Sequence, residues 1–442
     1  MLRTETDTPV PHRVILALAC IPTADCILNQ LTNGLHLYLG PVSLLQVLRT
    51  GLLLCFSGLI LATILQHPER LRRVPLPAVG ALLMLVLLLS KQWVTGGHIE
   101  AESIGAYGQM AYWLILWITA SVVCVAPSQA MLLLYGLASG AVLTALSVCV
   151  GLASGGLNYY EDDLVHASSG WFNTAKMITG ILVCGATVVL YLSSGRRRPW
   201  AYGLLAVFCM VSTILTYARA GTVALVLVVA WLCLWTVRAN GFHQWRSLKW
   251  FLGLFLAAAI AAPLLIGPQN LFSRWGDVSE GEHAGSGRAA IWSIAADAYT
   301  TAPLPTQMLG RGYSAMSELL FREYGDDVKH THNDALDMLL VGGVVGMGWL
   351  VSFIVAWSLR ISSFSPWSLE GAAAVAIFVD YLCHAQFTGQ LWGTDAMTYY
   401  VLALTSLTVI GCSRTAATRV RYAAPLTPAI ANIQSRLDGG TQ

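Results

Sequence analysis

Residues 336–359 read LDMLLVGGVVGMGWLVSFIVAWSL, an apolar stretch whose one charged residue is Asp337. A helix of about 20 apolar residues is long enough to cross the hydrocarbon core of a bilayer. Eleven further stretches resemble it, although Asp25 and Asn29 interrupt the first. We therefore predict an all-α polytopic membrane protein with twelve spans. These are residues 13–31, 43–66, 74–94, 107–125, 130–153, 173–193, 201–217, 221–237, 251–267, 336–359, 369–386 and 394–412.

The composition of the whole chain supports this fold class. Of its 442 residues, 56% are hydrophobic and only 11% are charged, whereas a soluble domain carries about 25% charged residues. Most of the surface therefore has to face lipid. The net charge of +2 argues against a nucleic-acid-binding protein, which would be strongly basic. All ten cysteines fall in or at the edge of predicted spans, so no disulfide framework is available in the loops.

The positions of Lys and Arg predict the orientation, because cytoplasmic loops are enriched in both. With the N-terminus in the cytoplasm, 16 of the 25 basic residues lie on the cytoplasmic side and 6 lie outside. Both termini are therefore predicted to be cytoplasmic. The predicted organisation is helices 1–9 in residues 1–267, a long outer loop with the active-site residues in 268–335, helices 10–12 in 336–412, and a cytoplasmic tail in 413–442.

The outer loop contains an amphipathic stretch that begins near Arg288. Ile291 and then Ala295 recur at helical spacing, which predicts a short helix on the membrane face. Arg288 lies in its first turn, and a guanidinium beside the free N–H groups of a helix N-terminus can bind an anion. The alternative is an interfacial helix whose arginine contacts lipid headgroups.

A second polar cluster, His330-Thr331-His332-Asn333-Asp334, comes just before the tenth span. Either Asn333 or Asp334 suits the N-cap of the following helix. The positive end of that helix dipole keeps a nearby imidazole neutral near pH 7, and a neutral imidazole facing water can act as a general base. The alternative is a capping cluster without catalysis. A metal site is disfavoured, because a His-x-His pair faces one side only in extended chain and no cysteine is near.

Two more polar groups lie where apolar residues are expected. Arg219 occupies a tight outer bend between the seventh and eighth spans, where it has to reach a lipid headgroup or bind an anion. Asp380 lies inside the eleventh span, four residues before His384, and is structural if paired with an arginine or orients substrate if it faces a cavity. Glycines at 342, 343 and 346 allow the tenth helix to pack closely against a neighbour.

These residues suggest one chemistry: arginines suit a diphosphate, and a neutral histidine suits the removal of a proton from a hydroxyl. At them the sequence resembles the bacterial O-antigen ligase and O-antigen polymerase family, membrane glycosyltransferases of the GT-C type. The ligase motif of that family is matched by His332-Asn333 followed, after nine residues, by Gly343. Residues 286–292 resemble the family's loop pattern, and residues 217–221 resemble a third element.

The resemblance implies a metal-independent, inverting transfer without a cofactor at the periplasmic face of the bacterial inner membrane. The donor would be an undecaprenyl-diphosphate-linked glycan. Arg219 and Arg288 would bind its diphosphate, and His332 would deprotonate or orient the acceptor hydroxyl. Further candidate substrate-binding residues are His330, Asn333 and Asp380.

The acceptor distinguishes two activities within this family. A ligase transfers to lipid A–core, and a polymerase transfers to a second lipid-linked glycan, either an O-antigen or an exopolysaccharide repeat unit. The ligase motif favours the first. A transporter or flippase of lipid-linked glycans is the alternative from another class, and it predicts internal repeats with broken helices in matching positions. No such repeat is visible in the sequence.

Overall fold

The computed structural model describes residues 12–35, 38–39, 42–96, 98–153, 157–159, 165–167, 175–194, 198–216, 218–239, 251–257, 260, 287–324, 328–392 and 394–423. This part of the chain is almost entirely helical. Its α-helices are α1 (His12–Leu35), α2 (Leu44–Gln66), α3 (Leu76–Gly96), α4 (Ala101–Val123), α5 (Pro127–Ala153), α6 (Ala175–Ser193), α7 (Pro199–Leu215), α8 (Arg219–Ala239), α9 (Arg288–Thr300), α10 (Leu304–Leu309), α11 (Tyr313–Tyr324), α12 (Asp334–Ser362), α13 (Leu369–Phe387) and α14 (Thr394–Ala423).

Smaller elements connect these helices. A 3₁₀ helix, Pro68–Arg73, follows α2. Two antiparallel hairpins, which the sequence did not predict, pair Tyr38–Leu39 with Val42–Ser43 and Leu157–Tyr159 with Val165–Ala167. Residues 251–257 are helical and begin the predicted ninth span. Most of the remainder of that span, and residues 268–286 of the predicted outer loop, lie outside the described residues.

Seven of the described helices are long and apolar enough to cross a membrane: α2, α3, α4, α5, α8, α12 and α14. Two more, α6 and α7, carry the shorter apolar stretches Ile178–Ser193 and Pro199–Leu215. The chain is therefore an all-α, polytopic integral membrane protein. The count of twelve spans and the periplasmic position of the long loop stay predictions. The last helix ends at Ala423, eleven residues beyond the end predicted for the last span.

Small residues bring the backbones of neighbouring helices together. In α5, Gly136 lies directly against the backbone of Ala19 in α1, and a Cβ on Gly140 would lie 2.9 Å from the Pro22 carbonyl oxygen. Such contacts replace the hydrophobic driving force, which is absent between helices in lipid. The dense packing of α1, α5, α6 and α14 makes the frame on which the polar groups are mounted.

A largely buried ion cluster ties α2 to two helices of this frame, α1 and α14. Arg49 of α2 lies 3.4 Å from Asp25 of α1 and also pairs with Asp395 at the start of α14. Its guanidinium lies 5.7 Å from the ring centre of Tyr112 in α4. A buried arginine with two carboxylate neighbours has its charge compensated inside the protein.

Candidate active site

The N-terminus of α12 is fixed by Asn333. Its Oδ1 accepts hydrogen bonds from the backbone N–H groups of Ala335 and Leu336 at 3.0 and 3.1 Å. Its Nδ2 donates to the backbone and side-chain oxygens of Gln386 at the end of α13, at 3.3 and 3.1 Å. The predicted capping role is therefore confirmed, and Asn333 is the cap rather than Asp334. The role of Asn333 in substrate binding stays a prediction.

Two carboxylates in the first turn of α12 hold the loops on either side of it. Asp334 Oδ1 accepts from the backbone N–H groups of Gln390 and Leu391, at 2.7 and 3.1 Å. Asp337 Oδ1 accepts from both the backbone N–H and the hydroxyl of Thr331, each at 2.7 Å. Both carboxylates are buried. The sequence analysis gave Asp337 no role, although a carboxylate inside a predicted membrane span indicates a residue with a specific polar partner.

His332 is the only non-glycine residue with a positive φ in the described part of the chain, at 58°. This conformation costs of order 1–3 kcal/mol and persists only where the surroundings enforce it. Here the backbone N–H of His332 donates to His330 Nδ1 at 3.2 Å, and the two rings are 4.3 Å apart. His332 Nδ1 lies 3.4 Å from the Thr388 carbonyl oxygen. With a proton on Nδ1 directed at that oxygen, Nε2 carries the lone pair that a general base needs.

The histidine loop, residues 330–334, is joined to α9 by one indole. Trp292 Nε1 donates to the Thr331 carbonyl oxygen at 3.0 Å. Arg288 lies four residues earlier and therefore on the same face of α9. The predicted short helix is confirmed: it begins at Arg288, and Ile291 and Ala295 are its buried residues. It packs against α11 and α12.

A left-handed glycine positions the start of α9. Gly287 has a φ of 70°, which L-residues with a Cβ rarely adopt. Any Cβ at this position would also overlap the hydroxyl of Tyr324 in α11. Gly287 therefore lets the chain turn sharply against α11 and enter the helix at Arg288.

Arg219, the first residue of α8, and Arg288, the first residue of α9, form an arginine pair. Burial lowers the pKa of the Arg288 guanidinium, and the positive charge of Arg219 lowers it further, to about 10. Among the described residues Arg288 Nε is buried and has no hydrogen-bond partner. Two cations from distant segments are thus held near each other. A partly buried like-charge pair is costly unless an anion compensates it.

A break in α12 at Gly343 holds the segment between α10 and α11 against this helix. Gly343 is non-helical, with φ 62° and ψ −152°. The carbonyl oxygens of Leu340 and Val341 instead accept from the backbone N–H groups of Arg311 and Gly312, at 2.7 and 3.1 Å. The prediction that glycine permits close packing is confirmed here, because α10 and the residues after it lie directly against Gly343.

Asp380 lies apart from these contacts. Its side chain is fully buried in α13, and its Oδ1 lies 2.9 Å from Nδ1 of His384. The sequence left open a pairing with arginine or a place in a cavity, and the structure pairs Asp380 with histidine instead. Its contact with substrate stays a prediction. In the part of the chain that the structure describes, no group of three or more His, Cys, Asp or Glu side chains could hold a metal ion.

These features define an integral membrane protein with two arginines and a strained histidine in neighbouring segments. A family model described as O-antigen ligase matches residues 204–351. The matched segment contains α8 to α11 and much of α12, and with them Arg219, Arg288 and His332. The predicted resemblance to the O-antigen ligase and polymerase family is thereby confirmed over these residues. Comparison with curated proteins found no match.

Proposed function

We propose that this protein is an inner-membrane glycosyltransferase that moves a glycan from an undecaprenyl-diphosphate carrier to an acceptor hydroxyl. The observation that carries the proposal is the arginine pair at the start of α9, the helix whose Trp292 bonds to the histidine loop. In this proposal both chain termini are cytoplasmic, and the transfer takes place at the periplasmic face, where the long loop of residues 268–335 lies.

The electrostatics of the arginine pair support an anionic donor. Arg49 shows how this protein compensates a buried arginine when no ligand is required, since two carboxylates surround it. Arg288 has a second guanidinium for a neighbour instead. A diphosphate brings enough negative charge for both cations and can accept paired hydrogen bonds from each guanidinium. The N–H groups at the start of α9 add donors for the same anion.

The proposed chemistry is a single displacement. His332 Nε2 removes the proton from the acceptor hydroxyl while its oxygen bonds to the anomeric carbon of the donor sugar. The bond from that carbon to the diphosphate oxygen breaks, and undecaprenyl diphosphate leaves with the electron pair. The arginine pair stabilises the charge that develops on this leaving group. Attack opposite the leaving group inverts the anomeric centre, and no metal ion is needed for any of these steps.

The proposed acceptor is lipid A–core, as in O-antigen ligation. The alternative is a second lipid-linked glycan, which would make the protein a polymerase of O-antigen or exopolysaccharide repeat units. His330 and Asn333 remain candidates for acceptor contacts because they flank the base. A lipid-linked glycan flippase is a third possibility, and it would form no glycosidic bond.

The decisive experiment uses purified protein in proteoliposomes with undecaprenyl-diphosphate-linked glycan and lipid A–core. We expect glycosylated lipid A–core, undiminished by EDTA. Extended lipid-linked chains would indicate the polymerase. Movement of donor across the bilayer without a new glycosidic bond would overturn the proposal. A deletion strain separates the first two in cells: a ligase mutant keeps lipid-linked polymer but lacks O-antigen on lipid A–core, whereas a polymerase mutant makes single-repeat chains.

A further inference from the structure

Three buried polar side chains, from α13 and α6, contact one another in a row. Asp380 Oδ1 lies 2.9 Å from His384 Nδ1, and His384 Nε2 lies 2.8 Å from the hydroxyl oxygen of Thr179. Each of the three side chains is fully buried. Because the carboxylate faces Nδ1, the proton belongs on that nitrogen, and Nε2 accepts from the threonine hydroxyl. His384 Nδ1 also lies 3.0 Å from the backbone carbonyl oxygen of Asp380, so its proton faces two oxygens of the same residue.

One end of this row reaches the helix that begins with Arg219. A Cβ on Gly221 would lie 2.6 Å from the Cβ of Thr179 and 3.0 Å from its hydroxyl oxygen. Gly221 is two residues after Arg219, in the first turn of α8. Thr179 therefore lies directly against the first turn of α8, and its bond to His384 fixes which of its side-chain atoms face that turn.

The other end reaches the residue that orients His332. The carbonyl oxygen of His384 accepts from the backbone N–H groups of Thr388 and Gly389, at 2.8 and 3.2 Å, and from the Thr388 hydroxyl at 2.7 Å. The carbonyl oxygen of Thr388 in turn faces His332 Nδ1 at 3.4 Å. The turn that begins at His384 thus ends at the contact of the proposed base.

We infer that His384 is a positioning residue that holds Arg219 and His332 in one fixed relation. It acts through Thr179 toward the arginine and through Thr388 toward the base. Asp380 acts through His384, fixing its ring and tautomer, without touching substrate. The expected effect of His384 on glycan transfer rests on the proposed function. Its effect on the positions of Thr388 and the first turn of α8 can be tested without measuring transfer.

The test uses paired substitutions along α6. Thr179→Val removes the hydroxyl at constant shape. Thr187→Val is the matched control, because Thr187 is also fully buried in α6 and, among the described residues, its hydroxyl bonds within the helix to the Val183 carbonyl oxygen at 3.0 Å. We expect Thr179→Val to raise KM for the lipid-linked donor and to lower kcat/KM by about 10- to 100-fold. Thr187→Val should have the KM and kcat of the wild type. Thr179→Ser keeps the hydroxyl and should retain most of the wild-type activity.

Substitutions of His384 test its contacts with Asp380 and with Thr179 separately. In His384→Asn the amide can still reach Asp380, and in His384→Gln it can still reach Thr179. We expect His384→Gln to keep donor KM closer to the wild type than His384→Asn does. Wild-type KM and kcat in both Thr179→Val and His384→Asn would overturn the inference.

Hydrogen exchange provides the readout that does not depend on transfer. We expect His384→Asn to accelerate exchange at the amides of Thr388 and Gly389 and in the first turn of α8. If the wild type transfers no glycan but these amides respond, the proposed function fails and the positioning role stands. If the wild type is active and the amides and kinetics of the variants are unchanged, the positioning role fails.

Discussion

The candidate active site has two halves that satisfy their polar groups in different ways. In the histidine half, Asn333, Asp334 and Asp337 accept hydrogen bonds from backbone groups of this same chain. In the arginine half, Arg288 has a second guanidinium nearby and a buried Nε without a partner among the described residues. The histidine half draws its hydrogen bonds from the protein itself, and the arginine half brings two positive charges close together.

This difference separates what is preorganised from what a ligand completes. A general base has to be in place before substrate arrives, and the internal bonds of the histidine half hold it in a strained conformation. A diphosphate site can remain electrostatically incomplete, because the bound anion supplies the compensation. The contrast predicts that substitutions in the first half change catalysis or stability, whereas substitutions in the second change donor affinity.

The largest expected effect is at the proposed base. We expect His332→Ala to lower transfer by about 10²- to 10⁴-fold, since the acceptor hydroxyl loses its proton acceptor. The amount of protein in the membrane should stay unchanged, as measured by immunoblotting beside the transfer assay. His67→Ala, in the connection after α2, is the control. Transfer near the wild-type rate in purified His332→Ala would show that another group acts as the base.

The break in α12 is the next test of the histidine half. Gly343→Ala should lower the free energy of unfolding by about 2–4 kcal/mol, because a Cβ is strained at a φ of 62° and would overlap the backbone of Gln307. Gly348→Ala is the matched control in the same helix, since nothing lies within 4 Å of its Cβ position. Thermal unfolding in detergent measures both. Equal melting temperatures would contradict the packing described for α10.

The arginine half is tested by Arg288→Lys. An ammonium cannot reproduce two parallel hydrogen bonds to a diphosphate, so we expect donor KM to rise by about 10- to 100-fold. Stability should change little, because Arg288 Nε has no hydrogen-bond partner to lose among the described residues. Arg322→Lys, an exposed position on α11, is the control. Unchanged KM in Arg288→Lys would favour an arginine that contacts lipid headgroups instead.

Substitutions of Asn333 test whether this residue only caps α12 or also contacts substrate. Asn333→Ala should destabilise the protein by about 1 kcal/mol through loss of the cap. Asn333→Asp keeps the accepting oxygen and should recover much of that stability in thermal unfolding. If Asn333→Asp is as stable as the wild type but has a raised acceptor KM, the amide also contacts substrate, as predicted from the sequence. Wild-type kinetics would leave Asn333 with its structural role alone.

The smallest effect concerns pH. The pKa of Arg288 is lowered to about 10 in the donor-free protein, so its cation is lost as pH rises through that value. Binding of a diphosphate requires the cation, and donor affinity should therefore fall by about twofold near pH 10 relative to pH 8. Bound diphosphate should raise the pKa and move the loss to higher pH. Affinity of the purified protein for undecaprenyl diphosphate measures it, and an affinity that is flat to pH 11 would contradict the assignment.

Much of the helical architecture was predictable because its cause is local. Helices α2 to α8 begin and end within a few residues of the predicted spans, with α4 the farthest displaced, since hydrophobic residues have to cover a bilayer whatever their neighbours are. The start of α9 at Arg288 and the cap at Asn333 are likewise encoded by adjacent residues. The two short hairpins were missed, because no alternation of polar and apolar residues marks strands of two or three residues.

Other features have no local cause and were therefore decided by the tertiary structure. The sequence by itself determined a membrane protein, the positions of most helices and the residues eligible for chemistry. Only the packed helices bring Arg219 near Arg288, and only they place Thr179 against His384, which is 205 residues away in the chain and also faces Asp380. The physical reason is the distance along the sequence over which each effect acts. Hydropathy and capping depend on residues that are close in sequence, whereas charge compensation and close packing depend on which helices become neighbours.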